Sequence, residues 1–288
     1  MSKIALGTVQ FGLNYGINNR GGKIPQSEAM KILNYCIENN INVIDTATNY
    51  GNSENVLGKC FKTLSGDFNV ISKLPKCNLN KVESICYDSL KKLGIQKLYG
   101  YLIHDFDFFE NNARVWHILL KLKENGFINK IGFSLYYPSQ LEKIFASKIH
   151  FDILQVPYNV LDQRFGAMFQ KLKKNKVEIH VRSVFLQGLL FKKPTTLNSF
   201  FNPIKKKIDY LHQVSFNKKI SVSNLLLGFT HINDHIDKIV IGVDSMNDLK
   251  DNINYINYVS RVNDVYDELI QLAETNEEMI LPTNWKLK

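Results

Sequence analysis

The chain predicts an α/β fold, a single (β/α)8 TIM barrel, and three observations carry that expectation. Eight short apolar runs of β character recur along the sequence, helix-period segments separate them, and no Gly-x-Gly-x-x-Gly turn follows the first run. Strands that alternate with helices build a parallel sheet, and roughly 250 residues are enough to close one into a barrel. The missing glycine fingerprint argues against the doubly wound open sheet, the nearest structural rival.

In chain order the predicted strands are Ile4-Ala5-Leu6, Val43-Ile44, Val70-Ile71, Tyr99 to Ile103, Ile128 to Phe133, Ile153 to Val156, Val177 to Val181 and Ile239 to Ile241. Several have no polar alternation, as expected of strands buried on both faces. Between the first two, Ala29, Ile32, Leu33, Cys36 and Ile37 fall on one helical face. Ser53 is placed to cap the next helix, whose inner side is Val56, Leu57, Cys60, Phe61 and Leu64. Asn80, with Glu83 three residues on, opens another that carries Val82, Ile85, Cys86, Ser89, Leu90 and Leu93 inward. Phe165, Met168, Phe169 and Leu172 mark a later helix. The segment from about 191 to 220, with Pro194, Pro203 and Lys205-Lys206-Lys207, breaks the rhythm and reads as a long excursion after strand seven. Ser221 to Gly228 then starts the helix before the last strand. With no linker-like shift in composition, residues 1–288 are expected to form one domain.

Composition narrows the class. At 44% hydrophobic and 22% charged residues the chain is globular in type. No run approaches the ~18 to 20 apolar residues needed to span a bilayer, and the N-terminal segment lacks the apolar core of a signal peptide, so a cytoplasmic protein is expected. The four cysteines, Cys36, Cys60, Cys77 and Cys86, form no C-x-x-C pair, which fits reduced thiols and not a zinc or disulfide framework. The formal charge of +9 comes largely from lysine runs on predicted helix exteriors, with no recognition helix or RNP-like pattern beside them. The reading is a solvated basic surface, with neither nucleic acid nor membrane as partner.

Active sites of parallel barrels lie at the C-terminal ends of the strands. Asp45 stands at the end of strand two, Lys73 at strand three and His104 at strand four, with Tyr50 in the loop after Asp45. Singly, each has an ordinary structural reading. On neighbouring strands they would converge. A buried lysine needs a counter-charge, which Asp45 supplies. The ammonium would in turn favour phenolate and draw the Tyr50 pKa down from about 10 towards neutrality, so that Tyr50 gives a proton to a developing alkoxide. His104, with Asp105 as neighbour, would orient a carbonyl. No side chain can supply a hydride, so a cofactor must.

At these residues the sequence resembles the aldo-keto reductase family. The carrying motifs are Gly7-Thr8-Val9-Gln10-Phe11-Gly12, Asp45-Thr46-Ala47-Thr48-Asn49-Tyr50-Gly51, Ser72-Lys73 and Leu102-Ile103-His104. The order continues through Ile131 to Ser134, Gln155 to Asn159, Arg182 to Gly188, and Ile241 to Ser245 with Asn252. The resemblance implies reduction of a small carbonyl substrate by NADPH or NADH. It implies Asp45, Tyr50, Lys73 and His104 as the catalytic set, with Tyr50 as general acid. Ser134 and Gln155 would hold the nicotinamide carboxamide, with Gly7, Thr8 and Asp45 bordering the cofactor. Ser183, Phe185, Gln187 and Gly188 would hold the pyrophosphate. Gly242, Asp244, Ser245, Asp248 and Asn252 would form the adenosine end, where a helix N-terminus favours anions.

The pattern departs from the family at three places. Arg182 stands where an aromatic residue often stacks on the nicotinamide, and a guanidinium plane can also stack. Leu135 follows Ser134 where asparagine is common. Asp244 and Asp248 are acidic where a base often receives the 2′-phosphate of NADPH, which predicts relaxed or NADH-leaning use, although Lys250 is near. Phe106, Phe108, Phe109, Tyr136 and Tyr137 either line an apolar or sugar-stacking pocket or pack on the surface, and the first reading suggests a keto-sugar. The alternative is a non-catalytic, cofactor-binding regulatory subunit of the same fold. A lyase using Lys73 as a Schiff base conflicts with the Asp45 counter-ion, and the seven histidines form no metal-binding cluster.

Overall fold

In the computed structural model, which describes residues 2–17, 19 and 21–285, eight parallel strands close into a barrel in sequence order. The ends of the 1–288 span, Met1 and residues 286–288, lie outside the described residues. The strands are β1 (Ile4–Gly7), β2 (Val43–Asp45), β3 (Asn69–Leu74), β4 (Leu98–Ile103), β5 (Ile128–Ser134), β6 (Ile153–Pro157), β7 (Glu178–Arg182) and β8 (Lys238–Gly242). Each coincides with an expected run, and β1 pairs with β8 to close the ring, Gly7 opposite Gly242.

The barrel helices are α1 (Gln26–Glu38), α2 (Ser53–Phe61), α3 (Val82–Leu93), α4 (Arg114–Glu124), α5 (Pro138–Ala146) and α6 (Phe169–Lys174). After β7 come α7 (Lys205–Lys218) and α8 (Val222–Ile232), and α9 (Met246–Ile253) follows β8. Their apolar faces pack on the outside of the sheet: α1 buries Ala29, Ile32, Leu33 and Cys36, and α3 buries Val82, Cys86, Ser89, Leu90 and Leu93. Two expected caps are corrected. Ser53 is the first residue of α2, and its hydroxyl donates to the Thr8 carbonyl at 2.9 Å instead of closing the helix. Asn80 lies in a short 3-10 turn ahead of α3, whose N-cap position is Lys81. Residues 191–220 hold two 3-10 turns and α7, which buries Ile208, Leu211 and Val214 and leaves Lys205 and Lys206 exposed.

The barrel interior sets out the site by simple alternation. Ala5, Val43, Ile71, Leu102, Ile153 and Val240 form an apolar plug on the strand axis, with Gly132 and His180 completing the level. A Cβ on Gly132 would lie 1.8 Å from the Ile153 carbonyl oxygen, so only glycine lets β5 and β6 approach there. Residues two positions further on face the same way. Those eight are Gly7, Asp45, Lys73, His104, Ser134, Gln155, Arg182 and Gly242, one from each stave just above the plug.

Candidate active site

A cavity of about 470 Å³ opens above this ring, within the range of small-molecule sites. It is bordered by Asp45, Tyr50, His104, Ser134 and Arg182 and by Gly242, Asp244, Asp248 and Asn252. Gly7, Thr8, Ser183, Phe185, Gln187 and Gly188 lie along it as well.

Lys73 is the pivot. It is wholly buried, and its ammonium donates to Asp45 Oδ2 at 2.6 Å, to the Thr46 carbonyl at 2.8 Å and to Tyr50 Oη at 3.4 Å. All three N–H donors of the side chain are thereby placed. Burial pushes the Lys73 pKa down, and the Asp45 carboxylate opposes it. Because Lys73 donates to the phenol oxygen, the hydroxyl proton of Tyr50 is directed elsewhere, and Tyr50 borders the cavity.

The expectation that Lys73 brings Tyr50 towards neutrality is corrected. Burial raises the Tyr50 pKa well above its ordinary value of 10.0, the Asp45 charge adds to this, and Arg182 only partly offsets it. Desolvation of the phenolate outweighs the cation, so Tyr50 is held as a neutral phenol. His104 stands edge-on to the Tyr50 ring with centroids 6.1 Å apart. Burial, then the charges of Lys73 and Arg182, lower its pKa from 6.5 to about 3, so the ring is neutral. Its Nδ1 is buried without a partner. An unpaired acceptor is less unfavourable there than an unpaired donor and leaves the proton on Nε2. Asp105 does not support His104: it caps a short helix (Phe106–Asn111), accepting from the Phe108 amide at 2.8 Å.

Gln155 and Ser245 do not border the cavity. Gln155 is buried under its floor, with Nε2 donating to Asp45 Oδ1 at 2.6 Å, while its Oε1 is buried without a partner. Ser245 turns its hydroxyl to the first turn of α9, where it meets the Asp248 amide at 3.1 Å and the Asp248 carboxylate at 2.9 Å. Thr8 borders the cavity, but its hydroxyl is held by the Asp45 carbonyl at 2.9 Å. The Arg182 guanidinium lies over the Tyr136 ring at 4.1 Å, so one of its two faces is covered. Phe106, Phe108 and Phe109 are not pocket residues. All three are buried, and Phe106 and Phe109 belong to an aromatic cluster with Trp116 and Phe133. Tyr137 packs near Arg164, and of the five expected aromatics only Tyr136 borders the cavity.

The sequence reading passed over Gln10, Tyr15, Asn19 and Asp251, which also border the cavity. Gln10 lies in the first quoted motif and packs on Gly242, where a Cβ would meet its amide at 2.6 Å. Tyr15 and Asn19 come from a loop without periodicity and reach across to Gln187 (2.9 Å) and Asp244 (3.3 Å). The backbone at Ser183, Leu186 and Gln187 is left-handed, with φ of 61°, 47° and 53°. Such strain in non-glycine residues collects at functional sites.

A cavity with a buried acceptor that lacks a donor, Gln10 Oε1, along it and a second, Gln155 Oε1, beneath its floor fits a dinucleotide rich in amide and hydroxyl donors. Among the described residues no helix is long and apolar enough to cross a membrane.

Comparison with known proteins agrees with the barrel fold. The chain is 20% identical over 277 residues to the uncharacterized oxidoreductase YqkF of Bacillus subtilis (strain 168), covering 88% of this chain and 90% of that protein. It shares its fold with the aldo-keto reductase AKR11C1 of Bacillus halodurans in its holo form, at a TM-score of 0.77 and 19% identity over 96% and 95% of the two chains. A thermostable aldo-keto reductase, Tm1743, solved with the inhibitor epalrestat, is similar at a TM-score of 0.70 and 20% identity over 94% and 95%. The family model described as Aldo/keto reductase family matches residues 3–273, and the chain is therefore a member of that family of oxidoreductases.

Proposed function

We propose that this protein reduces an aldehyde or ketone to an alcohol, with Tyr50 as the proton donor and a nicotinamide dinucleotide as the reductant. The observation that carries the reading is the set of bonds around Lys73, which fixes Asp45 and Tyr50 on one ammonium at the cavity floor. A bound nicotinamide supplies the hydride. The chain's own part is to hold the carbonyl and deliver the proton. His104, neutral with its proton on Nε2, donates to the carbonyl oxygen and orients it. Tyr50 keeps its proton until negative charge develops on that oxygen. As the proton leaves, the nascent phenolate lies beside the Lys73 ammonium, where a preorganised charge stabilises it without rearrangement. Asp45 keeps Lys73 charged, and Gln155 holds Asp45 from its other oxygen.

Gln155 Oε1 and Ser134 are the residues offered to a carboxamide, Ser183, Phe185, Gln187 and Gly188 to a pyrophosphate, and Gly242, Asp244 and Asn252 to the adenosine end. Ser245 contributes there only through Asp248.

The same end favours NADH over NADPH. The first amide of α9, Met246, is taken by Glu28 Oε1 at 2.9 Å, and the Asp248 amide by Ser245. Two of the first three amides of the helix N-terminus that could receive a 2′-phosphate are thus taken by the chain's own oxygens, and Asp244 and Asp251 also border the cavity. Lys250 is not among the residues bordering the cavity. NADH is expected to give the higher kcat/KM with any accepted carbonyl; a clear preference for NADPH would refute this.

The decisive test is a panel of aldehydes, ketones and keto-sugars followed by loss of reduced-cofactor absorbance, with Tyr50→Phe as partner. A fall of about 10²- to 10⁴-fold in kcat is expected for that variant, the usual contribution of a positioned acid. Turnover undiminished in Tyr50→Phe removes Tyr50 from the role. Cofactor binding without turnover of any carbonyl would favour the regulatory-subunit alternative.

A further inference from the structure

The reduction described above leaves one cation of the cavity without a task. Arg182 ends β7 and borders the cavity together with Tyr50 and His104. Behind the larger effect of burial, its charge favours the phenolate of Tyr50 and the neutral forms of His104 and Lys73, so it lies within electrostatic reach of all three.

A guanidinium carries five N–H donors in a fixed fork. In Arg182, Nη1 donates to Ser183 Oγ at 3.3 Å and Nη2 to the Leu135 carbonyl at 3.1 Å, both neutral oxygens. Among the described residues the remaining three donors have no acceptor, and Arg182 makes no ion pair. Arg164 shows the ordinary arrangement: it is paired with Asp162 at 2.8 Å and Glu277 at 2.7 Å. The Tyr136 ring and the Leu135 carbonyl fix the Arg182 head group, so little side-chain freedom remains to be lost when an anion docks on its edge. Lys73 and Asp45 cancel, and Tyr50 and His104 are neutral, so among the described residues around the phenol Arg182 carries the uncompensated charge. The other acidic residues that border the cavity, Asp244, Asp248 and Asp251, follow β8, and none of them pairs with it.

We propose that Arg182 anchors an anionic group, carboxylate or phosphate, on the carbonyl substrate, so that the substrate class is a negatively charged aldehyde or ketone; this rests on the reductase reading above. The fork geometry suits bidentate capture of either group. The anchor holds the substrate and takes no part in the transfer of the proton.

Three aldehydes that share one reacting centre test it: 4-formylbenzoate, 4-formylphenyl phosphate and the uncharged methyl 4-formylbenzoate. At least one anion is expected to exceed the ester by about 10- to 100-fold in kcat/KM, mainly through KM, as for a hydrogen-bonded charge pair. The two anions distinguish carboxylate from phosphate. In Arg182→Gln the anion-to-ester ratio should fall to about one, and in Arg182→Lys part of it should survive. Because the ratio is taken within each variant, changes in cofactor handling or stability divide out. Calorimetry adds a readout independent of turnover: 4-(hydroxymethyl)benzoate and inorganic phosphate are titrated into wild type and Arg182→Gln, with binding of at least one expected only in wild type. A wild-type ratio of one or less for both anions, or a ratio that Arg182→Gln leaves unchanged, overturns the anchor while the reductase reading stands. Failure of all three aldehydes to consume NADH or NADPH counts against the reductase reading, and the calorimetry then decides the anchor by itself.

Discussion

At the scale of single residues, the candidate site works through neutral groups gathered around one buried ion pair. The clearest consequence concerns His104, whose pKa is lowered from 6.5 to about 3, mainly by burial. In the unfolded chain the imidazole takes up a proton as pH falls through 6.5, and in the folded chain it does not until about 3. Protonation therefore favours the unfolded state, and this contribution makes stability rise with pH across that window. In the native protein the His104 ring resonances are expected to stay flat between about pH 5 and 8, where a free imidazole titrates. A midpoint in that range in an NMR titration would show that the ring is not desolvated as described. Gln155 carries a related lesson about residue roles. Its amide donor is committed to Asp45, so it can offer only an acceptor to anything bound above it.

At the scale of elements, the loops after β1 and β2 depend on each other. A Cβ on Gly12 would lie 1.7 Å from the Tyr50 carbonyl oxygen and 2.7 Å from the Ser53 amide, all rigid backbone. The turn that carries Tyr50 is thus seated on Gly12, which explains physically why a glycine closes the first motif. Gly12→Ala is expected to move Tyr50 and lower kcat by about 10-fold or more, since small misplacements of reacting groups are costly. It should also destabilise the fold by about 1–3 kcal/mol in urea unfolding, as overpacking does. Gly21→Ala is the control, since nothing lies within 4 Å of its added Cβ. Wild-type kcat in Gly12→Ala would show that the contact does not position the phenol.

At the scale of the whole molecule, the barrel has a second polar layer at the opposite end from the cavity. Glu178 accepts from the Tyr99 hydroxyl at 2.8 Å and is bound by Lys130, and it lies 2.6 Å from His180 Nε2. Burial alone would raise its pKa, but the bonds from His180, Lys130 and Tyr99 outweigh it and bring the carboxyl from 4.5 down to about 2. The stability this provides is present above 4.5 and is lost as pH falls through 2. Glu178→Gln should therefore be less stable than wild type at neutral pH and lose less stability between those limits. Parallel stability curves for the two proteins on acidification would remove Glu178 from the account.

The sequence by itself determined the barrel, because eight β-type runs separated by amphipathic helices leave few other ways to bury both faces of the strands. It also placed Asp45, Lys73 and His104 at the strand ends, because the end of an apolar run is a local property; Gly7, Ser134, Gln155, Arg182 and Gly242 were legible only through the resemblance to the aldo-keto reductases. Only the tertiary structure decided what those side chains do. Whether Gln155 faces a ligand or Asp45, whether a face of the Arg182 plane is covered by Tyr136, and whether Phe106, Phe108 and Phe109 line a pocket or fill the core depend on reach between distant parts of the chain. The state of Tyr50 was hidden for the same reason. A neighbouring ammonium is visible in the sequence, but the desolvation that outweighs it exists only once the barrel has closed around the phenol.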